Sequence, residues 1–285
     1  MERILQWSKL LRVKQYIKNF LVLVPLFFSR KLTSENISAA ILGTIVFCFI
    51  SSVVYIVNDL SDIENDKQHP VKCKRPLASG KIAPKSAATA AAIIAISGFA
   101  IAYFLNKVGI IILLFYLMLN IAYSKGLKNV AILDVCILAF GYLLRIFYGA
   151  ILVKVPISNL LYLTVLAAAF FLGFGKRRGE MQKIESSSTT RKVLEFYTPE
   201  FLNHNMYLAM TLTIVFYSMW CINSVPFVDN IIWSVPMVII IFMRYSLIVE
   251  GVSDGDPVNV FLSDKPLILL SAVYICYITA IFYFV

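Results

Sequence analysis

Long, uninterrupted apolar runs are the feature that most constrains this chain. A helix needs about 20 apolar residues to cross a hydrocarbon layer about 30 Å thick, and stretches such as 110–119 and 238–242 are apolar on every side. Strands of a membrane barrel would instead alternate apolar and polar residues. Because 60% of the residues are hydrophobic and 15% are charged, a disordered chain and a water-soluble core are also excluded. The sequence therefore predicts an all-α, polytopic membrane protein.

The apolar runs also give the number of spans. They predict a bundle of about nine transmembrane helices in a single domain that covers residues 1–285. The predicted spans are 16–29, 37–57, 86–105, 109–124, 130–152, 157–175, 206–222, 230–249 and 266–284.

The basic residues predict the orientation. Most of the 26 Lys and Arg residues lie in loops on the N-terminal side of the predicted topology, and the opposite loops carry Arg30, Lys31, Lys107 and Lys154. By the positive-inside rule, the N-terminus and the long loops are cytoplasmic. We therefore expect a multi-pass protein of a bacterial-type inner (plasma) membrane, with its active-site loops in the cytoplasm.

Topology and anionic lipid headgroups explain most of the net charge of +10. Nucleic acid is not an expected partner, because the basic residues are scattered among short loops and do not form one module. The five cysteines are an odd, scattered set, which indicates neither a disulfide framework nor a zinc site.

An acidic motif at the end of the second predicted span is not explained by topology. At about 100° per residue, Asp59, Asp62 and Asp66 share one face of a continuing helix, with Asn58 beside them. Converging carboxylates near a membrane boundary need a cation among them. Oxygen ligands suit Mg²⁺, which proteins hold with a few carboxylates and substrate phosphates. The motif therefore predicts catalytic, metal-binding aspartates and a diphosphate substrate.

Cationic side chains follow this motif directly. Lys72, Lys74, Arg75 and Lys81 offer donors to phosphate oxygens, and Arg75 is best suited to bidentate contact. The alternative is a solvated loop of mixed charge, which the common helical face of the aspartates disfavours.

Polar residues in and beside the next spans extend the candidate site. Asp134 and Arg145 lie eleven residues apart on one face of the fifth span, too far apart for direct pairing over about 16 Å of helix rise. Asp134 is a candidate catalytic residue that meets the substrate or a lysine, whereas Arg145 binds the acceptor phosphate or forms a structural ion pair. Tyr123, Lys125 and Lys128 suit phosphate contact as readily as interfacial anchoring.

Five stretches, in one order along nearly the whole chain, resemble the UbiA superfamily of intramembrane prenyltransferases, and within it the phosphoribosyl branch. The stretches are LLRVKQYIKNFLVLVP, NDLSDIENDKQHPVKCKRPLASG, YSKGLKNVAILDVCILAFGYLLR, GKRRGEM and RYSLIVEGVSDGDPVNVFLSDKPL.

The resemblance implies a helical bundle with a cytoplasm-facing polar cavity. It also implies Mg²⁺-dependent transfer of a phosphoribosyl group from 5-phosphoribosyl 1-diphosphate to a polyprenyl (decaprenyl-like) phosphate, with release of diphosphate. The K-N pair formed by Lys18 and Asn19 matches the family pattern of a substrate cavity. A homo-oligomer is compatible with the resemblance.

Ordinary members of the superfamily carry a second aspartate motif after the sixth span. Here that loop offers Lys176, Arg177 and Glu180, which suits a second phosphate on a ribosyl donor. The nearest alternative function is a conventional UbiA prenyltransferase, which moves a prenyl group from a prenyl diphosphate to an aromatic acceptor. A transporter or lipid flippase ranks below it, because the sequence shows neither the repeated halves nor the paired broken helices of many transporters. A purely structural scaffold ranks last, because it has no use for three carboxylates on one helical face.

Overall fold

The structure is a computed structural model that describes residues 2–68, 71–184, 192–223, 229–251, 253 and 255–284. Most of these residues are helical and none of them lies in a strand, which confirms the all-α prediction. The α-helices are α1 (Glu2–Leu10), α2 (Val24–Ser29), α3 (Ser34–Ser61), α4 (Ile63–Gln68), α5 (Pro84–Leu105), α6 (Lys107–Lys125), α7 (Leu133–Leu152), α8 (Asn159–Ile184), α9 (Pro199–Asn223), α10 (Val235–Glu250), α11 (Pro257–Ser263) and α12 (Lys265–Tyr283). Short 3₁₀ helices cover Val13–Leu23, Lys72–Lys74, Leu127–Asn129, Lys192–Phe196 and Asp229–Ser234.

Eight helices among the described residues are long and apolar enough to cross a membrane, which confirms a multi-pass protein. They are α3, α5, α6, α7, α8, α9, α10 with the 3₁₀ turn before it, and α12. The predicted first span, 16–29, is different: a 3₁₀ helix ends at Leu23 and α2 follows, with Pro25 in its first turn. Proline lacks the N–H that would continue a single helical ladder through this point.

The chain divides into two compact units. Unit 1 comprises Met1–Lys128 and Leu144–Val155, and unit 2 comprises Asn129–Leu143 and Pro156–Val285. The single domain over residues 1–285 and the cytoplasm-facing polar cavity stay predictions.

In unit 1, α3 packs against α5, α6 and the 3₁₀ helix Val13–Leu23. Its first turn is capped by Thr33, whose side chain accepts a hydrogen bond from the N–H of Asn36. Phe47 and Tyr148 lie in the core of this unit. Gly149 allows close approach of the chain, because a Cβ there would lie 2.0 Å from the carbonyl oxygen of Val22. This packing fixes α3 and therefore the position of the acidic motif at its end.

In unit 2, α8 packs against α9, and α10 packs against both of them and against α12. Phe171, Met206 and Tyr245 belong to the core that these helices share. Gly255 has a φ of +67°, and a Cβ there would lie 2.7 Å from the carbonyl oxygen of Lys176. Only glycine fits this left-handed position beside α8 without strain, so the chain before α11 lies directly against the basic end of α8.

Candidate active site

The acidic motif lies where α3 meets α4. The predicted continuing helix is wrong at one residue, because Asp62 is a turn residue with φ −104° and ψ 9°. Two helical hydrogen bonds nevertheless cross it: the N–H of Asp62 donates to the carbonyl of Asn58 at 3.1 Å, and the N–H of Asp66 donates to that of Asp62 at 2.8 Å. The helical periodicity of α3 therefore continues into α4, and Asp59 and Asp66 lie on the same face of the two helices.

Two arginines bind this pair of carboxylates. Arg12 Nη2 donates to Asp59 Oδ1 at 2.7 Å. Arg75 Nη1 donates to the same oxygen at 3.1 Å and to Asp66 Oδ2 at 2.7 Å. Both aspartates are 3% exposed, so their charges are compensated chiefly by these guanidinium groups.

The other polar residues of the motif face α6 and the turn after it. Lys128 Nζ lies 3.3 Å from Asp62 Oδ2, and Ser124 Oγ donates to Asn58 Oδ1 at 2.9 Å. Asp62 is half-buried. We refer to Asp59, Asp62 and Asp66 as the aspartate cluster; the structure joins two of its carboxylates through Arg75 and pairs the third with a lysine.

The donor set of the aspartate cluster fits Mg²⁺ in its chemistry, since carboxylate oxygens are the ligands that this ion prefers. Within the described residues, no three Asp, Glu, His or Cys side chains are grouped closely enough to hold a metal ion. A cation already lies between Asp59 and Asp66, namely the guanidinium of Arg75. It stands where a metal would compensate the same two charges.

The remaining predicted residues of unit 1 lie at the helix ends and loops. Lys81 lies 3.4 Å from Glu2, in an exposed ion pair rather than beside an aspartate. Lys72, Lys74 and Lys125 are exposed, whereas Lys18 and Tyr123 are half-buried.

Asn19 and Arg145 lie inside unit 1, at 1% and 5% exposure. Arg145 Nε donates to Asn19 Oδ1 at 2.8 Å, and its Nη2 donates to the hydroxyl of Tyr116 at 3.2 Å. The guanidinium also lies 4.9 Å from the ring centre of Phe47. Asn19 Nδ2 in turn donates to Ser51 Oγ at 3.0 Å. These contacts are with neutral and aromatic groups, and the roles predicted for Asn19 and Arg145 stay predictions.

Unit 2 holds a second group of charges, which we call the Asp134 network: Asp134, Arg177, Glu180 and Tyr197. Arg177 donates from Nε to Asp134 Oδ2 at 2.5 Å and from Nη1 to Glu180 Oε2 at 2.6 Å. The Tyr197 hydroxyl donates to Asp134 Oδ1 at 2.6 Å and accepts from the N–H of Ile132 at 2.5 Å. Burial raises the pKa of the Tyr197 phenol, and its hydrogen bond to Asp134 raises that pKa further.

The network ties the start of α7, the end of α8 and the 3₁₀ turn before α9 together. Asp134 and Arg177 have no exposed surface, whereas the side chain of Glu180 is 26% exposed. The sequence predicted Asp134 as catalytic and Arg177 as substrate-binding. In the structure the two side chains form a buried ion pair with each other, and both assignments stay predictions. Lys176, the remaining predicted residue here, is half-buried.

Sequence reasoning missed Arg12 and Tyr197. Arg12 belongs to a basic N-terminal stretch that topology already explained, although its 2.7 Å contact with Asp59 was beyond any local pattern. Tyr197 carries no signal of its own, because it meets Asp134 across 63 residues of chain. Both contacts depend on tertiary packing.

The fold is that of a polytopic membrane protein, and the aspartate cluster is an acidic site suited to a cation. The chain belongs to the UbiA prenyltransferase family, whose family model matches residues 20–189. Membership of this family makes it a membrane transferase.

Curated relatives match nearly the whole chain. A decaprenyl-phosphate phosphoribosyltransferase of Mycolicibacterium smegmatis is 31% identical, over 97% of this chain and 92% of the relative. One of Corynebacterium glutamicum is 32% identical, over 96% of this chain and 86% of the relative. Among solved structures, a UbiA homologue from Archaeoglobus fulgidus bound to GPP and Mg²⁺ superposes with a TM-score of 0.73 at 20% identity, covering 97% of this chain and 99% of that one. These matches confirm the predicted family and fold.

Proposed function

We propose that the protein transfers a phosphoribosyl group from 5-phosphoribosyl 1-diphosphate to a polyprenyl phosphate and releases diphosphate. The observation that carries this proposal is the near-full-length similarity to decaprenyl-phosphate phosphoribosyltransferases. A single acidic motif followed by a basic loop supports it, because a ribosyl donor presents a second phosphate that cations can bind.

Asp59, Asp62 and Asp66, with Asn58, are the residues that would hold Mg²⁺. When bound there, the ion would supply positive charge to the departing diphosphate. The carboxylates would hold the ion, while Lys72, Lys74 and Arg75 would bind the remaining phosphate oxygens. Lys81, at the end of the same loop, is a further candidate for this role.

In the reaction, an oxygen of the polyprenyl phosphate forms a bond to the anomeric carbon of the donor. The bond between that carbon and the diphosphate oxygen breaks, and diphosphate leaves with the electron pair. Attack from the opposite face inverts the anomeric configuration. A phosphate monoester is already anionic near neutral pH, so a strong general base is not required. The rate enhancement then comes chiefly from the correct positioning of the two reactants.

The other predicted residues take supporting roles in this proposal. Lys18, Tyr123, Lys125 and Lys128 contact phosphates at the ends of the spans, and Lys176 and Glu180 meet the ribosyl end of the donor. Asp134 and Arg177 act as positioning residues that hold Glu180, since both are sealed from solvent. Asn19 and Arg145 position the start of the chain against α7.

We further propose that the N-terminus and the loops that carry these residues face the cytoplasm of a bacterial inner membrane. The polyprenyl phosphate then reaches the site from the bilayer, whereas the water-soluble donor arrives from the cytoplasm. A homo-oligomer stays compatible with this arrangement.

The test incubates the full-length purified protein with Mg²⁺, 5-phosphoribosyl 1-diphosphate and a polyprenyl phosphate. Mass spectrometry should detect a phosphoribosylated lipid together with released diphosphate, and chelation of the metal should abolish both. A parallel reaction offers a prenyl diphosphate and an aromatic acceptor.

The parallel reaction tests the alternative function, that of a conventional prenyltransferase. The solved structure bound to GPP shares the fold of this chain but does not decide between the two functions. Turnover of the prenyl diphosphate, without a phosphoribosylated lipid from several polyprenyl phosphates, would overturn the proposal. The basic loops would then be explained by topology.

A further inference from the structure

The guanidinium groups in the aspartate cluster lie where a metal would compensate the same charges. One oxygen, Asp59 Oδ1, accepts from Arg12 at 2.7 Å and from Arg75 at 3.1 Å. A single nitrogen of Arg75 bridges Asp59 and Asp66. Two cations of the chain therefore compete with any metal for these carboxylates.

The two partners of these ion pairs differ in their access to solvent. The side chains of Asp59 and Asp66 are 3% and 5% exposed, whereas those of Arg12 and Arg75 are 26% and 28% exposed. A buried carboxylate that loses its cation becomes an uncompensated buried charge, which costs several kcal/mol. A partly hydrated guanidinium can leave and find water or another anion. Departure of the arginine is therefore coupled to arrival of a replacement cation.

The backbone conformation of Arg12 holds its side chain beside the aspartate cluster. It adopts a left-handed conformation, φ 53° and ψ 46°, at the break between α1 and the 3₁₀ helix Val13–Leu23. Non-glycine residues hold this conformation only where surrounding packing maintains it. The guanidinium rests on the Tyr55 ring, 4.5 Å from its centre, which leaves its remaining donors available to a phosphate.

We propose that Arg12 and Arg75 are resident counter-cations of the aspartate cluster, which Mg²⁺ displaces when the diphosphate of the donor arrives. The carboxylates then bind the metal, and the released guanidinium groups bind diphosphate oxygens, for which arginine has a suitable bidentate geometry. This inference rests on the proposed function. It adds Arg12 to the diphosphate site and makes metal and diphosphate binding mutually supportive, since each favours the exchanged state.

The experiment measures binding of Mn²⁺ alone to the full-length protein in detergent, by loss of the free-ion electron paramagnetic resonance signal. If the arginines compete with the metal, Arg12→Gln and Arg75→Gln should each tighten Mn²⁺ binding at least about fivefold, because a neighbouring positive charge is removed. Arg12→Lys keeps a positive charge and should stay near the wild-type affinity. Lys67→Gln is the matched control, because Lys67 is exposed and paired with Glu64.

Absence of tighter Mn²⁺ binding in the two glutamine variants overturns the inference. If the arginines merely hold the carboxylates in place for the metal, both glutamine variants will bind Mn²⁺ more weakly or unchanged. Asp59→Asn separates this outcome from failure of the proposed function. Unaltered Mn²⁺ binding by Asp59→Asn would remove the metal from the aspartate cluster, whereas its loss with no tightening in the arginine variants would remove the exchange alone.

A second measurement uses the wild-type protein and does not depend on the folding of any variant. Phenylglyoxal labels accessible guanidinium groups, and peptide mass spectrometry locates the label. Mn²⁺ should increase labelling of Arg12 and Arg75 by displacing them from Asp59, while labelling of Arg3 stays constant. Unchanged labelling of both arginines at saturating Mn²⁺ would contradict the exchange.

Discussion

The aspartate cluster of unit 1 and the Asp134 network of unit 2 use the same kinds of charged side chain but differ in exposure. The cations that bind Asp59 are about one-quarter exposed, whereas Asp134 and Arg177 have no exposed surface at all. Removing one partner of a buried ion pair is strongly destabilising, because it leaves an uncompensated buried charge. We therefore expect a binding site where the cations are accessible to solvent and a structural clamp where they are buried.

The largest effect on stability is expected from breaking the buried ion pair between Asp134 and Arg177. Arg177→Gln leaves the buried charge of Asp134 without its cation and should destabilise the protein by about 3–5 kcal/mol. Asp134→Asn should destabilise it less, because Arg177 keeps its ion pair with Glu180. Unfolding in increasing sodium dodecyl sulfate, followed by circular dichroism, measures the loss.

A double variant sharpens that measurement. Asp134→Leu combined with Arg177→Met removes both charges and should recover part of the stability, since the two residues are directly coupled. Single variants with a wild-type unfolding midpoint would show that this pair does not clamp unit 2.

The aspartate cluster should respond in the opposite manner, with activity lost and stability largely kept. Asp59→Asn should reduce phosphoribosyl transfer about 100-fold or more, as expected when a group that stabilises transition-state charge is removed. Its destabilisation should be smaller than that of Arg177→Gln, because water can hydrate the partly exposed arginines left behind.

Glu64→Gln is the control for this variant. Glu64 is an exposed acid on α4 that pairs with Lys67, and its loss should leave turnover within about twofold of the wild type. The assignment would fail if Asp59→Asn retained near-normal turnover.

An intermediate effect is expected at Tyr197, which donates to Asp134 at 2.6 Å. Tyr197→Phe should lower stability by about 1.5–3 kcal/mol, the range for hydrogen bonds to charged groups. The comparison variant is Tyr277→Phe, whose exposed hydroxyl donates to the carbonyl of Asn230; it should change stability by less than about 0.5 kcal/mol.

The catalytic readout for Tyr197→Phe follows from its position in the network. If the Asp134 network positions Glu180, the variant should raise the KM for 5-phosphoribosyl 1-diphosphate more than it lowers kcat. Equal destabilisation by Tyr197→Phe and Tyr277→Phe would contradict the special role of the network.

The smallest effect is expected at a half-buried ion pair, that between Arg244 and Asp264. Arg244 contacts both carboxylate oxygens of Asp264, at 3.1 and 2.7 Å. These hydrogen bonds lower the pKa of Asp264 below its usual value. The stabilisation is therefore fully present above the unfolded-state pKa of about 3.9 and is lost as pH falls through the lower folded-state value.

Thermal midpoints of the wild type and Asp264→Asn, measured between pH 2 and pH 7, test this dependence. The difference between the two proteins should be constant from pH 7 to pH 5 and should shrink below about pH 4. A difference that stays unchanged down to pH 2 would contradict a contribution from the ionised carboxylate. Capping of α12, where Asp264 accepts from the N–H of Leu267 at 2.8 Å, is kept by asparagine and does not add to the difference.

Local patterns predicted most of the fold. Hydropathy identified α3, α5 and α6, because the requirement for an apolar surface in lipid acts on each segment separately. It failed at Val13–Leu23, where the apolar residues form a 3₁₀ helix. Hydropathy measures the affinity of a segment for lipid and does not report its backbone geometry.

Local patterns predicted only those features of the candidate site that depend on residues close together in sequence. Helical periodicity correctly put Asp59 and Asp66 on one side, since that spacing is local. It could not find Arg12, which reaches Asp59 across 47 residues of chain. It also could not tell that Arg177 is sealed and that Lys81 pairs with Glu2. Burial and long-range pairing arise from packing, which no short window of sequence contains.

The most direct test of this account locates the metal in the folded protein. Fe²⁺ replaces Mg²⁺ in the full-length enzyme, ascorbate and hydrogen peroxide generate hydroxyl radicals at the ion, and mass spectrometry maps where the backbone is cleaved. Cleavage should cluster around residues 58–66, and Asp59→Asn should suppress it. Cleavage centred on residues 134 and 177–180, or cleavage near residues 58–66 that persists in Asp59→Asn, would contradict the assignment of the aspartate cluster as the metal site.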